Sequence, residues 1–307
     1  MVGGVITTGN SPKALWPGVF AWFGRGYDET KQEWMNLFEK QTSGQQYEEL
    51  VSITGFGPAD TKPEGQGVLY DSEIQGFVTR AVHVAYGLGY QVTKEELDDN
   101  LYEKLATSRA QSLGFSFRQT KENVGANFYN RATNSAYPLG DGVSLLNAAH
   151  PNASGGTFSN ILAVGADLSE ASIEDLAIQI MYAQDDRGLR INLQPKSLII
   201  APNEYFNAMR ILKSTYQSGT ANNDINVLNN MGVFSDGIKV NRYLSAPHTW
   251  FIRTNIPSKQ GLIYFERVPI QFTQDNDFDT ENMKAKGYER YSFTCGDPRA
   301  LFGSVGP

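Results

Sequence analysis

One stretch, residues 74–147, limits what this chain can fold into more than any other. It passes from an extended, alternating segment (Ile74–Val92) into the pattern of one very long helix, from Lys94 to about Ala132. It then breaks at Tyr137-Pro138 and enters a glycine-rich turn, Leu139-Gly140-Asp141-Gly142. Thr93 and Glu96 have the spacing of a capping box, in which hydroxyl and carboxylate each satisfy a backbone N–H left orphaned at a helix start. Leu97, Leu101, Leu105, Leu113, Phe117, Val124 and Phe128 recur near multiples of the helical turn. At ~1.5 Å per residue such a helix is a rod of roughly 58 Å. Gly114 and Gly125 are expected to bend it, since each weakens a helix by roughly 1 kcal/mol relative to Ala. No sustained a/d heptad appears, so a coiled coil is not expected. A long arm before a long, unpaired helix needs a surface outside its own chain, which points to assembly before catalysis.

The flanking segments agree. Residues 48–92 read as a two-stranded ribbon whose return leg alternates, with Val78, Arg80, Val82 and Val84 on one face. Its tip, Gly57-Pro58-Ala59-Asp60-Thr61-Lys62-Pro63-Glu64-Gly65, is dense in turn formers. A ribbon of this length is marginal alone in water and needs another surface. Residues 1–47 read as an arm, with Trp16-Pro17-Gly18, Phe20, Trp22 and Phe23, followed by a short helical patch carrying Trp34, Leu37 and Phe38. These aromatics form either a small local core or a contact with a neighbouring subunit. The second reading is preferred, because exposed apolar patches mark contact sites.

From Asp167 the chain reads as alternating helices and strands. Ser169–Gln184 is a predicted helix, Ser197–Ala201 a buried strand, and Pro202-Asn203 the start of a helix with Phe206, Met209 and Leu212 on one face. Ile238–Leu244 and Thr249–Thr254 are expected to pair. Leu262–Thr273 and Ala285–Cys295 form a closing strand pair around the acidic turn Asp275–Asn282.

Composition narrows the class. At 307 residues, 40% hydrophobic and 19% charged, with 17 Phe, 15 Tyr and 4 Trp, the chain is globular and long enough for two lobes. A net charge of −7 argues against gripping nucleic acid through bulk electrostatics. No apolar run approaches the roughly 20 residues needed to span a bilayer. The opening Met1-Val-Gly-Gly-Val-Ile lacks a signal-peptide pattern. A single cysteine, Cys295, excludes an intrachain disulfide and fits a reducing cytoplasm.

Chemistry is hard to find. His83, His150 and His248 have no ligand partners at metal-binding spacing, and each is expected to be an ordinary satisfied polar residue. Asp275-Asn-Asp277-Phe-Asp279 imitates a calcium loop but carries Thr280 and Lys286 where Gly and Glu are needed. Gly87-Leu-Gly89 lacks the third glycine of a dinucleotide fingerprint. Gly114-Phe-Ser116-Phe-Arg118 is no nucleophile elbow. Cys295, alternating with Phe293 and Tyr291, reads as a core thiol. No catalytic, cofactor or metal residue is assigned, and the chain is not expected to be an enzyme.

The order of elements (aromatic arm, long ribbon, capped rod-like helix, α/β lobe, closing strand pair) resembles the major capsid proteins of tailed bacteriophages with the Hong Kong 97-type fold, over nearly the whole chain. The stretch Tyr137-Pro-Leu-Gly140-Asp-Gly142-Val-Ser-Leu-Leu-Asn147 is similar to the segment that follows the long helix in that family. The resemblance implies an α+β fold with an N-terminal arm (1–47), an extended E-loop region (48–92), a peripheral P domain (93–166) with a spine helix (93–132), and an axial A domain (167–254). The closing strands, P-domain ribbon and C-terminus take 255–307. It implies self-assembly into pentamers and hexamers of an icosahedral virion shell, made in the host cytoplasm and enclosing double-stranded DNA contacted only weakly. Scaffold, portal and decoration proteins are implied as partners; no membrane and no cofactor are. Trp16, Phe20, Trp22, Phe23, Asp60, Lys62 and Glu64 are the expected inter-subunit contacts. The charged scaffolding segment common in the family is missing. The Lys–Asn cross-link of some members is not assigned, although Lys62, Asn276 and Asn282 carry the residue types. An encapsulin-like nanocompartment shell keeps the fold and changes the role. A soluble α/β enzyme is the reading from another class, with no identifiable site.

Overall fold

The computed structural model describes residues 16–29, 31–98, 102–217, 224–257, 259–277 and 279–306. In chain order the elements are helix α1 (Trp16–Asp28), strands β1 (Glu39–Thr42), β2 (Tyr47–Thr54), β3 (Ile74–Val82) and β4 (Val84–Val92), and helices α2 (Lys94–Asp98) and α3 (Tyr102–Asn130). Short strands β5 (His150–Pro151) and β6 (Thr157–Phe158) follow, then α4 (Glu170–Met181), β7 (Pro195–Ile200), α5 (Tyr205–Lys213), α6 (Val227–Met231), β8 (Ile238–Val240) and β9 (Thr249–Thr254). Strands β10 (Leu262–Asn276), β11 (Met283–Cys295) and β12 (Leu301–Val305) close the chain. The fold divides into two compact units. One comprises the described part of Met1–Gln32 with His83–Val124 and Glu266–Tyr291; the other comprises Glu33–Val82, Gly125–Phe265 and Ser292–Pro307.

In the first unit, β4 lies antiparallel along β11, from Val92 opposite Met283 to Val84 opposite Tyr291. The core joins Phe23 of α1 to Leu113 and Phe117 of α3 and to Phe272 and Met283 of the hairpin. Phe23 stacks on Phe272 at 4.6 Å and meets the edge of Phe117 at 6.4 Å. Residues 16–28, expected as part of an irregular arm, are therefore a helix with an apolar side. Gly114 lies where α1 packs against α3. A Cβ there would lie 2.4 Å from the Phe23 carbonyl oxygen, and one at Gly26 would lie 2.2 Å from that of Gln111. The two glycines let α1 and α3 touch backbone to backbone. Thr93 accepts a hydrogen bond from the Glu96 N–H at 3.4 Å, while the Glu96 carboxylate pairs with Arg109 at 2.8 Å. The predicted single helix is seen as α2 and α3. Residues 99–101 and the side chains of Leu97, Leu101 and Leu105 lie outside the described residues.

The second unit is built on a four-stranded sheet of order β12-β9-β7-β8. Strand β7 is central, parallel to β8 and antiparallel to β9. Its run Leu198-Ile-Ile200 is fully buried, as is every residue of β9, which is the mark of a strand covered on both faces. Helices α4, α5 and α6 supply Ile173, Leu176, Leu212 and Leu228 to the core around Trp250, Ile252 and Phe302. The expected β8–β9 pair does not form, because β7 lies between them and binds both. Phe206, expected on the core face of α5, is 73% exposed, whereas Ala208 and Leu212 are buried. Ser169 caps α4 in a reciprocal pair with Ser172. Trp34 and Phe38, read from sequence as arm residues, pack in this unit: Trp34 against Tyr264 at 4.2 Å and Phe38 against Phe293 at 4.7 Å.

The ribbon belongs to the second unit as a separate two-stranded sheet, β2 with β3, running from Tyr47 opposite Val82 to Thr54 opposite Ile74 with a bulge between Val51 and Ile53. It ends at buried His83 and does not continue to residue 92. Leu50 and Ala81 anchor it against Ile263 and Phe265, and buried Thr79 accepts a hydrogen bond from the Gly140 N–H at 3.3 Å.

Candidate assembly surface

The ribbon alternates as a half-buried strand should. On β2, Leu50, Ser52 and Thr54 turn inward while Tyr47, Val51 and Ile53 are exposed. Beyond β2 the chain runs through residues 55–73 without helix or strand. In this loop Phe56 is 56%, Val68 58%, Leu69 80% and Tyr70 94% exposed. Three consecutive large apolar side chains open to water form the least covered apolar run among the described residues. The loop is nevertheless held at its root. The Asp71 carboxylate accepts from the N–H groups of Gly57 (2.8 Å) and Ser72 (2.8 Å), which holds it below the usual carboxylate range. Arg187 Nη2 donates to the Ser72 carbonyl at 2.5 Å, and its Nη1 lies 3.7 Å from Asp71. Sequence reasoning missed Arg187, since nothing in its spacing ties it to a residue more than a hundred positions earlier.

Asp60, Lys62 and Glu64 are exposed on this loop and make no ion pair or hydrogen bond among the described residues. The other expected contacts are elsewhere, on α1. Phe20 is exposed and Trp22 half-buried under Arg25, whose guanidinium sits 4.9 Å from the ring centre. Phe23 belongs to the core of its own chain. Trp16 begins α1, with its side chain outside the described residues. The structure therefore does not gather these residues into one cluster.

The buried polar groups are tied to their own chain. Asn160 Nδ2 donates to the carbonyls of Leu145 (2.7 Å), Leu301 (3.0 Å) and Pro298 (3.2 Å), and its Oδ1 accepts from the Asn147 N–H (2.8 Å). His150 sits beside it, Nε2 3.2 Å from Asn160 Oδ1 and Nδ1 2.6 Å from Asp141 Oδ2, so both ring nitrogens face oxygens. Arg299 lies over the Phe158 ring at 3.9 Å and donates to Gln184 O, Asn152 Oδ1 and Asp186 Oδ1, each at 2.9 Å. Burial raises the Asp297 carboxyl against the opposing pull of Arg299. In the first unit Glu289 is buried with Lys121 at 2.6 Å, and burial again raises the carboxyl against its cation. The Cys295 thiol is fully buried, pushed up by that burial, and donates to the Asp297 carbonyl at 3.1 Å. Asp277 is paired with Lys284, which keeps its carboxyl low and occupies the acidic turn that resembled a calcium loop. Among the described residues no three His, Cys, Asp or Glu side chains gather as a metal site, and no helix is long and apolar enough to cross a membrane. These clusters hold distant segments of backbone together, and the exposed apolar surface is the candidate for contact with a partner.

Comparison with known proteins gives the same direction. No curated protein sequence matches the chain. Among solved structures it is similar to the virus-like particle from Pyrococcus furiosus (14% identity, TM-score 0.58, covering 94% of this chain and 98% of that one). It is also similar to the SrpI encapsulin of Synechococcus elongatus (10%, TM-score 0.53, 99% and 93%) and to a structure from Mycobacterium phage Che8 (10%, TM-score 0.51, 89% and 90%). At such identities the likeness is one of fold, an α+β Hong Kong 97-like fold. Residues 78–303, well over half of the sequence, match the family model described as phage capsid protein, and the chain therefore belongs to the phage capsid protein family.

Proposed function

We propose that this chain is the major head protein of a tailed phage, building pentamers and hexamers of an icosahedral shell around double-stranded DNA. One observation carries the reading: the loop beyond the ribbon presents a run of apolar side chains, up to 94% exposed at Tyr70, that the described residues leave uncovered. Burying such a run at ~25 cal/mol per Å² of apolar surface favours contact with a neighbour. Many weak contacts of this kind sum to a strong closed shell, and a closed shell uses up strand edges that would otherwise remain open. In this reading residues 48–92 act as the E-loop region and Thr93–Ala132 as the spine. Residues 167–254 act as the axial domain, and scaffold, portal or decoration proteins are partners. The net charge of −7 suits an inner wall that does not hold DNA tightly.

A second reading, a nanocompartment shell enclosing protein cargo, is supported by the likeness to the Synechococcus encapsulin, which spans 99% of this chain. Light scattering with negative-stain imaging of the purified chain, alone and with co-expressed scaffold, tests both. Uniform closed particles, or discrete pentamers and hexamers, are expected; a monomer or small dimer under every condition rejects both. Nucleic acid inside the particles selects the first reading, and co-purified protein cargo the second.

A further inference from the structure

Two helices of the second unit carry exposed faces of opposite charge. On α4, Glu174 and Asp175 are exposed, exposed Ile178 and Met181 follow, and exposed Tyr182 stands at the helix end. The helix holds no Lys or Arg. On α5 the order is reversed: exposed Tyr205 and Phe206 open the helix, exposed Arg210 and Lys213 close it, and no acidic residue lies in it. Buried Ile173, Leu176 and Ile180 fix α4 to the core of its own chain, and buried Ala208 and Leu212 fix α5, so the outer faces take no part in that core. Among the described residues Glu174, Asp175, Arg210 and Lys213 make no ion pair.

The helix dipole accounts for Arg210 and Lys213, which sit in the last turn of α5. It fades beyond the first turn, so it does not call for Glu174 and Asp175. Nor does it explain the large apolar side chains left in water beside these charges, which mark a contact surface. The two faces also match in length. Glu174, Ile178 and Met181 stand at i, i+4, i+7, and so do Phe206, Arg210 and Lys213, each stripe about 10 Å long at ~1.5 Å per residue. Laid antiparallel, the stripes bring Glu174 to Lys213, Asp175 to Arg210, and Ile178, Met181 and Tyr182 to Phe206. We propose that α4 of one copy of this chain docks antiparallel on α5 of a neighbouring copy. Each copy carries both halves, so the contact is heterologous and repeats from subunit to subunit, as a ring requires. Opposite charge sets its direction and register, and burial of the apolar ends holds it. The inference rests on the shell reading above and adds a contact that the ribbon and its loop do not make.

The test reads self-association of the full chain by sedimentation velocity, with negative stain for closed particles. Glu174→Lys with Asp175→Lys makes both faces positive, and Arg210→Glu with Lys213→Glu makes both negative. Each double variant is expected to associate at least tenfold more weakly than the unaltered chain, with denaturant unfolding nearly unchanged. An equimolar mixture of the two should regain association, since unlike copies then meet with opposite charges. Rescue by mixing arises only from a contact between copies. Should charge reversal unfold a helix, Glu174→Gln with Asp175→Asn and, separately, Phe206→Ser are the milder variants, each expected to weaken association several-fold. Undiminished association of the variants, or no rescue on mixing, overturns the proposal. Closed particles that survive charge reversal overturn it and leave the shell reading standing. Dimers that depend on the four charges but never close uphold it and reject that reading. A chain that stays monomeric under every condition overturns both.

Discussion

The sheet β12-β9-β7-β8 and the ribbon β2–β3 are both β-structure in the same unit, yet they are stabilised in opposite ways. Every residue of β9 is buried, and Trp250, Ile252 and Phe302 pack in one core with side chains of three helices. The ribbon turns one side of each strand inward, rests on Leu50, Thr79 and Ala81, and carries Tyr47, Val51 and Ile53 outward. The sheet is complete within one chain and the ribbon is not. In the proposed shell, stability of the subunit and competence to assemble are encoded in different residues, and mutations should separate them.

The strongest way to break that separation is to cut both regions. Ile252→Ala should cost about 3 kcal/mol of subunit stability, within the ~2–5 kcal/mol range for buried Ile or Leu truncation, read from denaturant unfolding. Leu69→Ser with Tyr70→Ser should change subunit stability by less than about 0.5 kcal/mol, as exposed substitutions do, while eliminating closed particles in negative stain. Intact shells from that double variant, or a large loss of subunit stability, would erase the distinction. Next in size, Gly114→Val forces apart the backbones of α1 and α3 and should cost ~1–3 kcal/mol, with Gly114→Ser milder. Arg187→Met should leave unfolding almost unchanged but accelerate hydrogen exchange and protease cleavage between residues 57 and 72, because the loop root loses its contact with Ser72.

The smallest expected effect is a slope with pH. Burial sets the Glu289 carboxyl above its unfolded value, so its contribution to stability is present below the ordinary carboxylate value of about 4 and is lost as pH rises through the folded value. Glu289→Gln should flatten the stability-versus-pH curve above that point; an unaltered slope would mean that the carboxyl is not the group titrating.

Much of this was legible from local pattern. The ribbon's alternation, the buried run of β7, the long helix and the closing hairpin all leave short-range periodic signals. Strand β7 and the hairpin fall within a few residues of their expected places, whereas the ribbon's return leg, expected to run on to residue 92, stops with β3 at Val82, and β4 pairs with β11. Failures came where a distant partner decides. The pairing of β8 and β9 was misread because adjacency in sequence favours a hairpin, while the apolar run of β7 offers both its edges. Gly114 looks like a weak point in a helix until α1 lies 2.4 Å from where its side chain would be. Phe206 follows the helical spacing of its neighbours yet faces out, since the core on that side is filled by Ala208 and Leu212. Of the polar hubs, Asn160 and Arg299 carry no sequence signature at all, because their partners are single carbonyls and carboxylates scattered along the chain.

Asn160 has a consequence for how the protein is made. Its amide grips Leu145 on one side and Pro298 and Leu301 on the other, and Leu301 opens β12, the edge strand of the sheet. A ribosome delivers those acceptors some 140 residues after Asn160 itself. Until then the outer edge of β9 is unpaired and the hub is open, so the second unit cannot close before residue 301 has been made, although helices and hairpins form as they emerge. Chains released before residue 301 should be recognised as unfinished by proteases and chaperones, which makes β12 a checkpoint that truncated subunits fail.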